Sequence, residues 1–148
     1  MAMTLVLGHE QGLERAAGYA MERFGAIEGI RCASRAELID DRRHPRHPRR
    51  LYSRYLAGEL VPVEFDGYVV DVDDMADLGG ENQCFDLARD SIVDTFGVAG
   101  DIGYYAIGTR VLVRWLEDPP NREREYLEIW VDLNKWDNPI VTNPNLGQ

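Results

Sequence analysis

The residues best placed to do chemistry lie in GGENQCFDLARDSIVDTFG, residues 79–97, where a Gly-Gly pair and an amide pair precede Cys84. A cysteine that opens a helix is acidified by the helix dipole, and the thiolate is the nucleophile of a thiol hydrolase. The apolar spacing predicts such a helix. Cys84, Leu87, Ala88, Ser91, Ile92 and Thr95 fall at helical intervals, and Gly97 follows as a stop. Catalysis then needs a base, usually His, and a third group to orient it. The His residues, His9, His44 and His47, all lie upstream, and Glu81 and Asp86 flank Cys84 with charge that disfavours the thiolate. The sequence therefore points to a Cys84 that packs a helix onto a sheet, with no catalytic residue assigned.

The carboxylates Asp71, Asp73, Asp74 and Asp77 suggest a hard cation, but a Ca²⁺ loop needs Gly at its sixth position and Glu at its twelfth, where this chain has Ala76 and Asn82. His44 and His47 are spaced like some zinc ligands and lack a Cys or carboxylate partner at zinc spacing. Phosphate-binding glycine loops and hydrolase signatures are missing as well. No metal and no cofactor is expected.

The charge is unevenly spread. The chain has 148 residues, net charge -10, and 16 Lys+Arg, of which Arg42, Arg43, Arg46, Arg49, Arg50 and Arg54 crowd into one window. That window is DRRHPRHPRR and the residues after it, where Pro45 and Pro48 forbid helix. It reads as an arm over 41–54 that docks on an acidic surface, and the acidic body of a second copy is such a surface. A strongly acidic body repels nucleic acid, so direct sequence-specific nucleic-acid binding is not expected. No apolar run is long enough for a membrane span. MAMTLVLGHEQG lacks the basic start of a signal peptide, so Cys32 and Cys84 are expected to stay reduced in a cytosol.

The elements that must carry these residues follow from periodicity. Leu13, Ala16, Ala17, Ala20, Met21 and Phe24 form one helical stripe over about 9–24, closed by Gly25. Residues 27–33 read as a short strand and 34–41 as one helical turn. Leu60 to Phe65 reads as a strand, Asp66-Gly67 as a hairpin turn, and YVVDVDD as the returning strand. After the 84–96 helix come strands at about 104–116 and 125–133, joined by EDPPNRERE. In the second, Leu127, Ile129, Val131 and Leu133 point inward while Trp130 points out. The order α-β-β-β-α-β-β predicts an α+β two-layer sandwich, with a mainly antiparallel sheet and both helices on one face. One domain spans 1–135, and 136–148 is an extended tail. Trp115, Trp130 and Trp136 gather in the last third with Tyr104, Tyr105 and Tyr126, and an outward Trp130 beside a Trp136-bearing tail has the makeup of an interface.

The amphipathic N-terminal helix, the strand FDGYVVDVDD, the helix QCFDLARDSIVDTF and the final hairpin TRVLVRWLEDPPNREREYLEIWVDL together resemble the tail-terminator and tail-completion proteins of long-tailed bacteriophages, over about residues 10–133. The resemblance implies a small acidic α+β subunit that closes the tail as a hexameric ring at the head–tail junction. It implies a virion protein assembled in the host cytoplasm, whose partners are itself and neighbouring tail or neck proteins. A small acidic immunity or anti-defence protein that blocks a basic partner is the alternative. A papain-like thiol hydrolase using Cys84 is the third reading.

Overall fold

MTLVLG has no polar alternation, the mark of a strand buried on both faces, and Met3–Gly8 forms such a strand, β1. A computed structural model of the chain describes residues 2–8, 12–30, 50–73, 83–118 and 123–133. Helix α1, Leu13–Phe24, follows on the predicted stripe and stops where Gly25 takes φ 79° and donates to the Met21 carbonyl at 2.8 Å. Strand β2, Ile27–Ile30, then lies parallel to β1. Parallel neighbours require a crossover, and α1 supplies it.

The remaining elements are α2 (Arg50–Leu56), β3 (Val63–Asp73), β4 (Cys84–Arg89), β5 (Ile92–Gly97), a 3-10 turn (Ile102–Tyr105), β6 (Arg110–Asp118) and β7 (Glu123–Val131). The strands form one seven-stranded sheet in the order β2-β1-β7-β6-β3-β4-β5, antiparallel except at β1–β2. Among the described residues the fold is thus mixed α/β, with a mostly antiparallel sheet and two helices.

Several expectations are overturned. Residues 84–96 are a hairpin, not a helix: Asp90 takes φ 56° in a two-residue turn, and Arg89 faces Ile92. The second helix is α2, where no helix was expected. Asp66-Gly67 is no turn but the middle of β3, because β3 runs unbroken against β6 from Val63 to Tyr68. Gly67 is needed there for another reason, since a Cβ on it would stand 2.6 Å from the Ala88 carbonyl oxygen. The chain opens on a strand, so the order α-β-β-β-α-β-β does not hold.

Two faces of β6 organise the packing. Leu112 joins Met3, Leu5, Ala16, Ala20 and Trp130 beneath α1. Leu116 joins Leu127, Leu51 and Tyr52 beneath α2. The small Ala16 and Ala20 let α1 sit close to the sheet. On the other face Val111, Val113 and Trp115 meet Phe85, Leu87, Phe96 and Tyr105. This inner core is aromatic: Phe85 stacks on Tyr105 at 4.2 Å, and Phe96 meets Trp115 at 5.2 Å. For β5 to share a core with β6 and β7 the sheet must coil, and contacts across the coil hold it. Gly97 N–H donates to the Tyr126 hydroxyl at 2.9 Å, and Arg124 pairs with Asp94 at 3.1 Å.

Candidate interaction surface

Among the described residues, helices cover the outer face of the coiled sheet over one half only. Its limit is a seam of charge between α1 and β3. Arg110 grips Asp66 with two hydrogen bonds, Nε to Oδ1 at 3.0 Å and Nη2 to Oδ2 at 2.7 Å. Arg23 of α1 adds a third to Asp66 at 3.0 Å and also pairs with Glu64, which accepts from the Tyr19 hydroxyl. Burial pushes the Asp66 carboxyl up, but the Arg110 and Arg23 guanidiniums outweigh it and hold the group below its ordinary value. Tyr19, half-buried and facing the Glu64 carboxylate, is pushed up to about 12. Arg114 completes the seam. It lies over the Tyr19 ring at 3.9 Å and donates to Glu128 at 2.7 Å.

Beyond the seam, the outer face of β3, β4 and β5 carries three cross-strand rows. Tyr68, Ala88 and Val93 form the first, Asp71, Asp86 and Thr95 the second, and Asp73, Cys84 and Gly97 the third. A bulge at Val70 keeps this face in phase, so that Val69 and Val72 both turn inward against Leu87 and Phe85. Without the bulge, simple alternation would set Tyr68, Val70 and Val72 on one face. Tyr68 is 51% exposed, Val93 56% and Val70 46%. An apolar row of this exposure lies beside carboxylates that face one another, Asp71 opposite Asp86, an arrangement that repels itself. Thr95 Oγ1 donates to Asp86 at 2.6 Å, and Asp71 accepts from the Val72 amide at 2.9 Å. Neither contact brings a positive charge.

Cys84 stands in this field. It opens a strand, so no helix dipole acts on it, and burial followed by the charges of Asp73, Asp86 and Asp71 pushes its thiol up. That is the opposite of the activation a nucleophile requires. Among the described residues no three His, Cys, Asp or Glu side chains are grouped to hold a metal. Asp74, Asp77 and the His residues lie outside the described residues, as does Cys32.

Of the expected interface residues, Trp130 is corrected: it is fully buried beneath α1, with its ring N–H towards Glu128 at 3.4 Å. β7 has its other face against the aromatic core and this one under the helices, so a strand that alternates in sequence is buried on both sides. Arg54 lies in α2 and reaches its own chain, Glu59 at 3.6 Å and Asp118 at 3.9 Å. Arg50 begins α2. Arg42, Arg43, Arg46, Arg49 and Trp136 lie outside the described residues, together with the 136–148 tail.

Two features were not anticipated from sequence. One is the bare outer face, whose signal was present in the alternation of Asp71, Asp73 and Asp86 with apolar neighbours. The other is a cleft between the start of α1 and α2, lined by Arg15, Tyr52, Tyr55, Arg114 and Glu128. At about 20 Å³ it has room for roughly one water. No helix among the described residues is long and apolar enough to cross a membrane. No protein-family model matches the chain, and no curated protein matches it.

Proposed function

We propose that this chain is a non-enzymatic assembly subunit that works by presenting the outer face of β3–β4–β5 to other protein. The observation that carries this reading is the half-covered sheet, where α1 ends at the Arg23–Asp66–Arg110 seam and the face beyond it leaves Tyr68 and Val93 exposed beside Asp71 and Asp86. An apolar strip with a charged rim is the usual makeup of a protein interface. The raised Cys84 thiol weighs against a thiol hydrolase.

The assembly we favour is the ring implied by the tail-terminator resemblance: a homo-oligomer at a phage head–tail or tail junction, with neighbouring tail or neck proteins as further partners and the virion as its location. Residues 84–96 no longer contribute to that resemblance, which now rests on α1 and the β6–β7 hairpin. The α+β sandwich with helices on one face is retained only in that α1 and α2 both pack on the Leu112–Leu116 side of β6. The test is the mass in solution, by light scattering at rising concentration. A defined closed multiple supports a ring, and a monomer throughout removes it. An acidic protein that plugs a basic partner is the second reading, favoured by the opposed Asp71 and Asp86.

A further inference from the structure

Resting on that assembly reading, we infer that the outer face of β3–β4–β5 is the acceptor for the Arg42–Arg49 segment of a second copy. The argument starts from what the face lacks. Asp71 and Asp86 stand directly opposite each other across two strands, with Thr95 completing the row. Like charges in register are unfavourable unless a counter-charge meets them. Of the described arginines around this half of the sheet, Arg110 and Arg23 are held by Asp66 and Arg124 by Asp94, while Arg89, at the end of β4, alternates onto the face opposite Asp86.

The chain is short of other cations. It has 16 Lys+Arg against 26 Asp+Glu, and Arg42, Arg43, Arg46 and Arg49 are four of those 16 within eight residues, with Pro45 between Arg43 and Arg46 and Pro48 between Arg46 and Arg49. Eight residues, if extended at about 3.3 Å each, are more than long enough to cross three strands spaced about 4.8 Å apart. Guanidinium planes suit both halves of the face. They bind carboxylates in pairs and stack on an aromatic ring such as Tyr68. Because arm and acceptor are different surfaces of one molecule, the contact closes either as a reciprocal two-fold exchange or head-to-tail, and head-to-tail contacts make a ring when the rotation allows.

Strand addition to the free edge of β5 is the competing way to use this end of the sheet, and two of its amides are already engaged. The Thr95 amide donates to Asp94 Oδ1 at 2.8 Å and the Gly97 amide donates to the Tyr126 hydroxyl at 2.9 Å. Recognition by side chains on the face draws on none of these groups.

The test is a charge swap in the full chain, read by sedimentation velocity at low ionic strength. Asp71→Lys with Asp86→Lys alters only outer-face side chains, and circular dichroism with thermal melting verifies its fold. Arg46→Glu with Arg49→Glu alters the arm. Each pair alone is expected to weaken self-association about a hundredfold, and all four together to restore most of it, since like-charge contacts are replaced by opposite ones. Added salt should weaken the wild type in the same direction. If the wild type assembles and neither pair changes its association, the acceptor assignment is wrong while the assembly reading stands. A wild type that is monomeric at every concentration overturns both. A monomer that binds an oligo-arginine peptide, and loses it in Asp71→Lys/Asp86→Lys, overturns the second copy as occupant and favours a basic foreign partner.

Discussion

The Tyr126 hydroxyl accepts the Gly97 amide at 2.9 Å although three strands separate β7 from β5 in the sheet. This contact and the Arg124–Asp94 pair beside it turn an open sheet into a coil closed by side chains. Arg124 also covers the rings of Trp115 and Phe96, at 4.7 and 5.4 Å. Tyr126→Phe removes the acceptor and should cost about 1 kcal/mol, the net worth of one hydrogen bond. Amide exchange at Gly97 should accelerate while Phe85 and Leu87, within the β4 ladder, keep their protection. Equal acceleration of both would mean that the contact does not hold the edge independently.

Asp66→Asn leaves Arg23 and Arg110 facing an amide and should lower stability by about 2–3 kcal/mol at neutral pH. The sign of the pH dependence follows from the Asp66 carboxyl lying below its ordinary value. The ion pairs contribute fully above the unfolded value, near about 4, and their contribution is lost as pH falls through the folded value. Urea unfolding should therefore show wild type and Asp66→Asn converging in strong acid. A gap that persists undiminished there would place the effect in packing and not in charge.

Glu125 accepts the first amides of α2, from Leu51 at 2.7 Å and Tyr52 at 3.0 Å, and is itself buried. In Glu125→Ala those donors lose their acceptor, at a cost of about 1–3 kcal/mol. Hydrogen exchange mapped by peptide should show α2 losing protection before β6 and β7 do. Uniform loss across all three would show α2 to be cooperative with the sheet.

The thiol of Cys84 should alkylate more slowly near pH 7.5 than a free cysteine, since only the thiolate reacts and burial, then three carboxylates, oppose its formation. Asp86→Asn should speed the reaction. Peptide mapping separates Cys84 from Cys32. Faster alkylation than free cysteine would reopen the thiol-hydrolase reading.

Gly67→Ala should destabilise by about 1–3 kcal/mol, because the added methyl must push β3 away from the Ala88 carbonyl or displace Phe65, whose Cε1 would lie 2.9 Å away. Thermal melting reads this directly, and an unchanged midpoint would show that β3 and β4 can separate freely at this point.

How far the chain could be read in advance depended on which period each segment carried. α1 was legible because Leu13, Ala16, Ala20 and Phe24 repeat at one spacing and Gly25 stops them. Residues 84–97 satisfied two periods at once. Cys84, Leu87, Ala88 and Ser91 fit a helix, while Phe85 and Leu87 alternate as a strand and Asp90-Ser91 makes a turn. Local propensity could not choose, and the aromatic core, which needs Phe85 and Phe96 opposite each other, decided for strands. Asp66-Gly67 misled for a different reason. A turn dipeptide is also what results when an Arg-binding carboxylate stands beside a glycine required by a close neighbour. Trp130 was misplaced because alternation was read as one wet face, when both faces of β7 are covered. The bare outer face was the least legible feature, since it depends on where two helices stop.

The position of β1 sets an order on biosynthesis. This strand has a partner on one side in β2 and on the other in β7, whose pairing residues run from Glu128 to Val131. Leu5, Val6 and Leu7 therefore have no second flank until β7 has left the ribosome. Translation must carry this apolar strand unfinished for more than a hundred residues, so any shortened product that stops before β7 exposes it.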